Sequence, residues 1–359
     1  MPEQAERTLA ADLGGKLVLG IESSCDETAA ALLDEGGRVL ASVVRSQIDL
    51  HAAFGGVVPE IAGRSHVEHM VPVIEETFAR AGAKRADVGA IAVTCQPGLI
   101  GSLLVGVATA KAMALALDVP LVPVDHVAAH VWSCFHDVER PELPSACLVA
   151  SGGHSTLFAV RTLTRHERLG DTIDDAAGEA FDKVAAILGL GYPGGPIVDR
   201  MAKEGDPKRF RFPRSLMGRD SLDFSFSGIK TAVLYHCRGQ DGRTRRELDA
   251  QEVKDVCASF QEAVVDVLLA KLERLADRIG ARSLSIGGGV AANRRLRERA
   301  AELAAKRGLP LHLAPRELTT DNAVMIAGLG RLLFAEGVRA GLDLDAHARA
   351  IAPPPAASA

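Results

Sequence analysis

Aromatic side chains are scarce, 4% of a 359-residue chain with one tryptophan and two tyrosines. The core must therefore be aliphatic. The six cysteines, at positions 25, 95, 134, 147, 237 and 257, form no Cys-x-x-Cys pair. They read as reduced, mostly buried thiols and argue against a disulfide framework. No apolar run reaches the length of a membrane span, so no membrane partner is expected. A basic excess is also lacking: the formal net charge is −5, whereas a protein that binds nucleic acid alone is usually basic. Residues 1–16 form a polar tail without a signal-peptide core, and Glu3, Glu6 and Asp12 are foreign to a mitochondrial presequence. A cytoplasmic protein is expected.

Hydrophobic residues make up 47% and charged residues 24%, an ordinary globular mixture. The length suits about two domains. Inside this plain composition lies Val124-Asp125-His126-Val127-Ala128-Ala129-His130-Val131-Trp132. A spacing of four puts His126 and His130 on one helical face, close enough to share a metal ion. The preceding run Leu121 to Val124 reads as a buried strand, and Asp125 as the helix N-cap. The pair thus stands at the carboxyl edge of a strand, where open α/β sheets bind ligands. Zincin-type proteases also space two histidines by four, but they need Glu after the first as general base. Val127 holds that place. A surface or core histidine pair is the plain alternative.

The chain reads as two halves of one plan. Strands are expected at Leu17 to Ile21, Thr28 to Leu33 and Arg38 to Val44, with Asp34-Glu35-Gly36-Gly37 as a hairpin turn. A helix from Val58 to Ala81, a strand Ala90 to Thr94 and a small-residue helix from Gly101 to Leu117 lead to the histidine segment. The second half has strands at Ala146 to Ser151, Ser155 to Val160 and Glu167 to Asp171. It continues with a helix from Gln251 to Ile279, a strand Ser283 to Ile286 and a helix from Ala291 to Arg307. A strand Leu311 to Leu313 and a helix from Thr320 to Phe334 end it. Two copies of β-β-β-α-β-α-β-α describe an α/β, duplicated actin-like, sugar-kinase or heat-shock ATPase-type fold, two lobes with a central cleft. The expected division is a tail at 1–16, an N-terminal lobe at 17–144 and a C-terminal lobe at 145–340. A Gly/Pro-rich insertion at 173–250 is expected over the cleft, and a disordered tail at 346–359.

Several polar or Gly-rich segments fall at strand and helix ends. Ser151-Gly152-Gly153-His154 can bring backbone N–H groups close to a phosphate. Ile286-Gly287-Gly288-Gly289 leads into a helix whose start favours an anion, and Asn293 can bond a nucleobase or ribose. Neither is a Walker loop, since no Gly-Lys-Ser/Thr comes after it. Ile21 to Thr28 offers the hydroxyls of Ser23, Ser24 and Thr28 and the carboxylates of Asp26 and Glu27. Asp182 and Asp199 flank the Gly194-Gly195-Pro196 turn and could bind ribose hydroxyls or amides. Phe224 to Thr231 is a polar–aromatic loop. Asp321 opens the last helix, either as an ordinary N-cap or as a carboxylate completing a His-His-Asp set. Basic stretches occur at 208–214, 238–246 and 294–299.

Taken in order, Gly20 to Thr28, the His126/His130 helix, Ser151 to His154, Asp174 to Lys183, Tyr192 to Pro196, Phe224 to Thr231, Gly287 to Asn293 and Thr320 to Asn322 resemble the TsaD family (older name Gcp). These are the tRNA adenosine threonylcarbamoyltransferases. The resemblance spans Val18 to about Leu333. It implies one divalent metal per subunit, iron (Fe2+) ahead of zinc, on His126, His130 and Asp321. It implies binding of threonylcarbamoyl-adenylate through Val149, Ala150, Ser151, Gly152, Gly153, Asp182, Gly195, Asp199 and Asn293. The implied reaction passes the threonylcarbamoyl group to the exocyclic amine of the adenosine 3′ of the anticodon, in tRNAs reading ANN codons, with release of AMP. TsaB and TsaE are the implied protein partners. Ala128-Ala129 departs from the bulkier or charged residues of many members. The rival readings are a metal-dependent glycoprotein endopeptidase, the older family label, a small-molecule kinase of the same superfold, and a non-catalytic scaffold like the family's paralogue TsaB, which should lack the metal set. Within this reading, 208–214 is the tRNA-contact candidate.

Overall fold

The computed structural model describes residues 13–218, 220–239 and 247–350, which divide into two compact units. The first holds residues 13–50, 57–132 and 321–350; the second holds 51–56 and 133–320.

In the first unit, β1 (Leu17–Glu22), β2 (Glu27–Leu33) and β3 (Val39–Ser46) form an antiparallel meander. Gly37 turns the β2–β3 hairpin at φ +89°, and Asp34 clamps the turn by accepting from the amide of Arg38 at 2.9 Å. A short helix α1 (Ile48–Ala52) succeeds β3. Helix α2 (Pro59–Ala81) leads to β4 (Val88–Gln96), which lies parallel to β1 on the side away from β2. Helix α3 (Ile100–Leu117) leads to β5 (Leu121–Asp125), parallel to β4, and α4 (His126–Ser133) begins at once after it. The sheet order is β3-β2-β1-β4-β5. Its central strand β1 is buried at every residue, hence the continuous apolar run of a strand covered on both faces.

Helix α3 corrects an expectation. With 18 residues and a mean hydropathy of 1.8, it is long and apolar enough to cross a membrane. Its Leu103, Val107, Ala110 and Ala114 pack into the core of the first unit.

The second unit repeats the plan. Strands β6 (Ser145–Ala150), β7 (Ser155–Thr162) and β8 (Arg165–Gly170) form the meander. Helices α5 (Ala177–Leu188), α6 (Gly194–Ala202) and α7 (Ser227–Arg238) occupy the expected insertion. Then come α8 (Ala250–Ile279), β9 (Ser283–Gly287), α9 (Arg294–Arg307) and β10 (Leu311–Leu313). The order β8-β7-β6-β9-β10 matches the first sheet strand for strand. Phe181 of α5 meets Phe260 of α8 edge to face at 5.0 Å, which ties the insertion to this unit's core.

Four boundaries differ from expectation. The first lobe, expected to reach 144, gives way to the second unit after 132. The last helix, α10 (Ala323–Ala335), belongs to the first unit rather than to a lobe at 145–340. It lies so close to β1 and β4 that a Cβ on Gly20 would fall 2.4 Å from the carbonyl of Ala323, and one on Gly330 2.3 Å from the Cβ of Ala92. Small residues on both surfaces permit that approach. The helix expected from Ala291 begins at Arg294, because a 3-10 turn at Gly289–Ala292 intervenes and Asn293 caps the helix proper. The tail expected to be free from 346 is held at its start: Ala346 is buried in the first core, and the amide of His347 donates to the carbonyl of Cys95. Residues 351–359, most of 1–16 and residues 240–246 of the basic stretch at 238–246 lie outside the described residues.

Candidate functional site

Two clusters carry the candidate residues, one in each unit. In the first unit, the carboxyl ends of β1, β4 and β5 lie side by side. The register pairs Ile21 with Val93 and Thr94 with Val124, so Glu22, Thr94 and Asp125 succeed one another across the sheet edge. Asp125 accepts from the amide of Ala128 at 2.9 Å, as an N-cap should, and starts α4 on its first residue. One turn of helix then carries His126 and His130 to the same side. Their rings meet edge to face with centroids 4.7 Å apart.

Asp321 completes the group. It is not the cap of α10: Asn322 does that, accepting from the amide of Met325 at 3.0 Å. The Asp321 carboxylate is thereby left to the histidines, with Oδ1 at 3.0 Å from His130 Nε2 and 3.3 Å from His126 Nε2. The three donor atoms lie within 4.8 Å of one another. Two imidazoles and a carboxylate in so small a volume suit a divalent first-row metal in their donor chemistry. Val127, the position a zincin gives to its base, is buried apolar packing.

The electrostatics of this cluster are tightly linked. Burial disfavours the charged form of Asp321, yet His126 and His130 outweigh it and hold the carboxyl well below its usual range. Burial likewise opposes charge on His126, but Asp321 and Glu22 reverse the balance and hold its proton well above the ordinary value. Burial, with Asp321 and Asp26 adding to it, keeps Glu27 protonated well above the usual carboxylate range.

From sequence, the segment Ile21 to Thr28 offers Ser23, Ser24, Thr28, Asp26 and Glu27, and Glu22 goes unnoticed. Glu22 is fully buried and accepts from three groups: the amide of Ser24 at 2.5 Å, the Thr94 hydroxyl at 2.6 Å and His126 Nδ1 at 3.0 Å. Its one signal in the sequence is an acid closing an otherwise apolar buried strand. Ser24 Oγ also lies 3.1 Å from His126 Nδ1. Glycines keep this loop in place, since a Cβ on Gly98 would meet the carbonyl of Ser24 at 2.5 Å and one on Gly106 the hydroxyl of Ser23 at 2.4 Å. Thr28 is spent on His66, whose Nδ1 lies 2.7 Å from its hydroxyl.

In the second unit, the candidates form a chain of close backbone contacts around the end of β6. Val149 and Ala150 are its buried last residues. A Cβ on Gly288 would fall 2.4 Å from the carbonyl of Ala150, so the β9 turn abuts that end. Gly178 opens α5 against Ser151 and Gly152, its amide donating to the Ser151 carbonyl at 3.1 Å. Gly152 and Gly153 are exposed at the turn. Asp182 accepts from the amide of Gly194 at 2.7 Å and so fixes the start of α6, next to Gly195. Asp199 Oδ1 is buried and finds no hydrogen-bond partner among the described residues. Asn293 is also engaged within the unit. Its oxygen accepts from the amide of Leu296 at 2.9 Å and its amide donates to Gln261 at 2.8 Å.

The basic stretches are spent unequally. Arg295 and Arg299 pair with Glu262, Arg294 pairs with Glu298, and Arg297 donates to the carbonyls of Ala291 and Ala314. Arg214 pairs with Asp266. Lys208, Arg209 and Arg211 are exposed.

A sheet plan that recurs in both units, with a His-His-Asp cluster at the carboxyl edge of one sheet, defines a protein of the actin-like ATPase-fold class. Solved structures share the fold: HypF of T. kodakarensis, with a TM-score of 0.60 at 16% identity over 92% of this chain and 49% of that one, and the (R)-2-hydroxyglutaryl-CoA dehydratase component A of Acidaminococcus fermentans, 0.53 at 17% over 89% and 99%. The chain belongs to the TsaD family, the tRNA N6-adenosine threonylcarbamoyltransferases, whose family model matches residues 38–328. Relatives named for that activity include those of Geotalea uraniireducens, 49% identical over 92% of this chain and 95% of the relative, and Symbiobacterium thermophilum, 50% over 92% and 95%. That of Sorangium cellulosum is 49% identical over 94% and 97%. The protein is thus a transferase that modifies tRNA.

Proposed function

We propose that the donor substrate is threonylcarbamoyl-adenylate, and that its threonylcarbamoyl group goes to the exocyclic amine of the adenosine 3′ of the anticodon in tRNAs reading ANN codons. AMP leaves. The observation that carries this reading is the convergence of His126, His130 and Asp321 within 4.8 Å. A kinase of the same superfold has no use for such a set, and a protease would need a base where Val127 stands.

His126, His130 and Asp321 would hold one divalent ion, iron ahead of zinc. When bound, that ion supplies Lewis acidity for an acyl carbonyl. The protein's own groups do the rest. The exposed Gly152-Gly153 turn and the Gly287-Gly288-Gly289 turn offer backbone N–H groups to the leaving phosphate. Asp199, with its unpartnered buried oxygen, suits a hydroxyl donor such as a ribose. Asp182 acts through the Gly194–Gly195 backbone that it fixes. Asn293 keeps one N–H and one lone pair beyond its bonds to Gln261 and Leu296, which suit a nucleobase or ribose. A mixed anhydride hydrolyses readily, so holding it still and dry is most of the catalytic task.

The acidic total charge supports a shared tRNA interface, with TsaB and TsaE as the partner proteins, in the cytoplasm. Lys208, Arg209 and Arg211 are this chain's contribution. The test is transfer of labelled threonylcarbamoyl from the adenylate to unmodified tRNA, with the partners added one at a time and AMP release measured in parallel. Labelled tRNA with stoichiometric AMP is the expected outcome. tRNA left unlabelled with the adenylate intact and every partner present would refute the donor assignment.

A further inference from the structure

We infer that Glu22 is a positioning residue for the metal cluster: its buried carboxylate fixes His126 as the Nδ1–H tautomer and so turns the Nε2 lone pair toward His130 and Asp321. The inference rests on the metal reading above and adds a residue outside the ligand set.

The geometry is directional. His126 Nε2 is the atom 3.3 Å from Asp321, so Nδ1 is the atom turned away from the cluster. Nδ1 faces Glu22 Oε2 at 3.0 Å and Ser24 Oγ at 3.1 Å. A carboxylate can only accept there, so Nδ1 carries a proton; Nε2, which faces the Asp321 carboxylate, carries the proton that a metal ion would displace. Glu22 cannot swing away. Oε1 is held by the Ser24 amide at 2.5 Å and Oε2 by the Thr94 hydroxyl at 2.6 Å, while the side chain is wholly enclosed. The sheet sets the place of Thr94, which is next after the residue paired with Ile21 across β1 and β4, and the Ser24 amide lies just past the end of β1 in the chain. A histidine that gives its distal N–H to a carboxylate is both oriented and made a stronger ligand, and loss of such a partner typically weakens metal binding about 10- to 100-fold. His130 Nε2 reaches Asp321 from the other ring, at 3.0 Å, so the two Nε2 atoms and one carboxylate oxygen share the cluster.

Glu22→Gln keeps the shape but sets an amide N–H against either the Ser24 amide or the Thr94 and His126 donors. The test measures Fe2+ and Zn2+ affinity of the full chain by competition with a chromogenic chelator, beside the melting temperature of the metal-stripped proteins. The expected result is about a 10- to 100-fold weaker affinity in Glu22→Gln, with wild-type-like folding by circular dichroism. Because a buried substitution can prevent folding, the tautomer is also read directly in the wild-type Zn2+ protein by 15N NMR of the His126 ring. A proton on Nδ1 with Nε2 metal-bound supports the inference; the reverse pattern overturns it, whatever the variant does. Wild-type binding with an unchanged affinity in folded Glu22→Gln overturns the inference alone. A wild-type chain that binds neither ion overturns the metal reading as well.

Discussion

His130 Nε2 and Asp321 Oδ1 lie 3.0 Å apart although 191 residues separate them. Asn322 makes this contact possible by taking over the N-cap of α10. Asp321→Asn should therefore leave the helix intact and strip the His-His-Asp set of its carboxylate. Transfer activity should fall on the order of a thousandfold, roughly 4 kcal/mol of barrier, and bound metal measured by elemental analysis should fall with it. Full metal content in the variant would remove Asp321 from the ligand set.

Asn322→Ala separates the cap from the ligand. Loss of an N-cap costs about 1 kcal/mol, so the melting temperature should drop while Asp321 keeps its carboxylate. Metal affinity should suffer far less than in Asp321→Asn. Equal losses in the two variants would show that the helix start matters more than the carboxylate.

Gly178 packs its backbone on the phosphate-turn candidate. A Cβ there would fall 2.6 Å from the Ser151 carbonyl and 2.8 Å from the Gly152 backbone, atoms that cannot step aside. Gly178→Ala should weaken AMP or adenylate binding about tenfold or more, some 1.4 kcal/mol, with metal content unchanged. Calorimetric titration with AMP and metal analysis on one preparation would check both halves.

Asp199 invites the opposite trade. Its buried, unpartnered oxygen is a cost to the empty protein. Asp199→Ala should raise stability slightly, up to about 1 kcal/mol, and weaken adenylate binding. A variant that loses stability in urea titration without losing affinity would reassign Asp199 to structure.

His166 on β8 should make the fold acid-sensitive. Burial pushes its pKa from 6.5 down to about 4, and the Leu163 carbonyl, which accepts from Nε2 at 3.0 Å, offsets only part of that. Between those values the unfolded chain binds the proton and the folded chain does not. Stability from this group is thus complete above about pH 6.5 and is lost as pH falls toward about 4, at most about 3 kcal/mol in all. His166→Gln should flatten the urea-midpoint profile over that window. An unaltered profile would mean that other groups set the acid limb.

The exposed cations at 208, 209 and 211 should matter to tRNA and not to chemistry on the adenylate. Reversing them should lower the slope of log affinity against log salt by about one for each phosphate left without its cation. Arg214 is paired with Asp266, so reversing it should destabilise the chain more than it changes the slope.

Much of this is readable along the chain. Strand and helix periodicity locates the sheets because buried strands need apolar runs and helices repeat every three to four residues. The four-residue spacing of His126 and His130 makes them neighbours by helix geometry alone. Glu22 is not readable, since an acid at a strand end is ordinary until Thr94, Ser24 and His126 are seen around it. The cap role of Asn293 is not readable either, because a free amide and a helix cap look alike in sequence.

Local order therefore came from the sequence by itself: elements, the histidine pair, the glycine turns and the family they belong to. The fold alone decided which distant groups meet. Gly20 and Gly330 let α10 settle on the first sheet, and that packing, not any local rule, delivers Asp321 to the histidines. It also placed α10 outside the unit to which the chain order would assign it. Side-chain volume and backbone approach act across hundreds of residues, and no one-dimensional pattern records them.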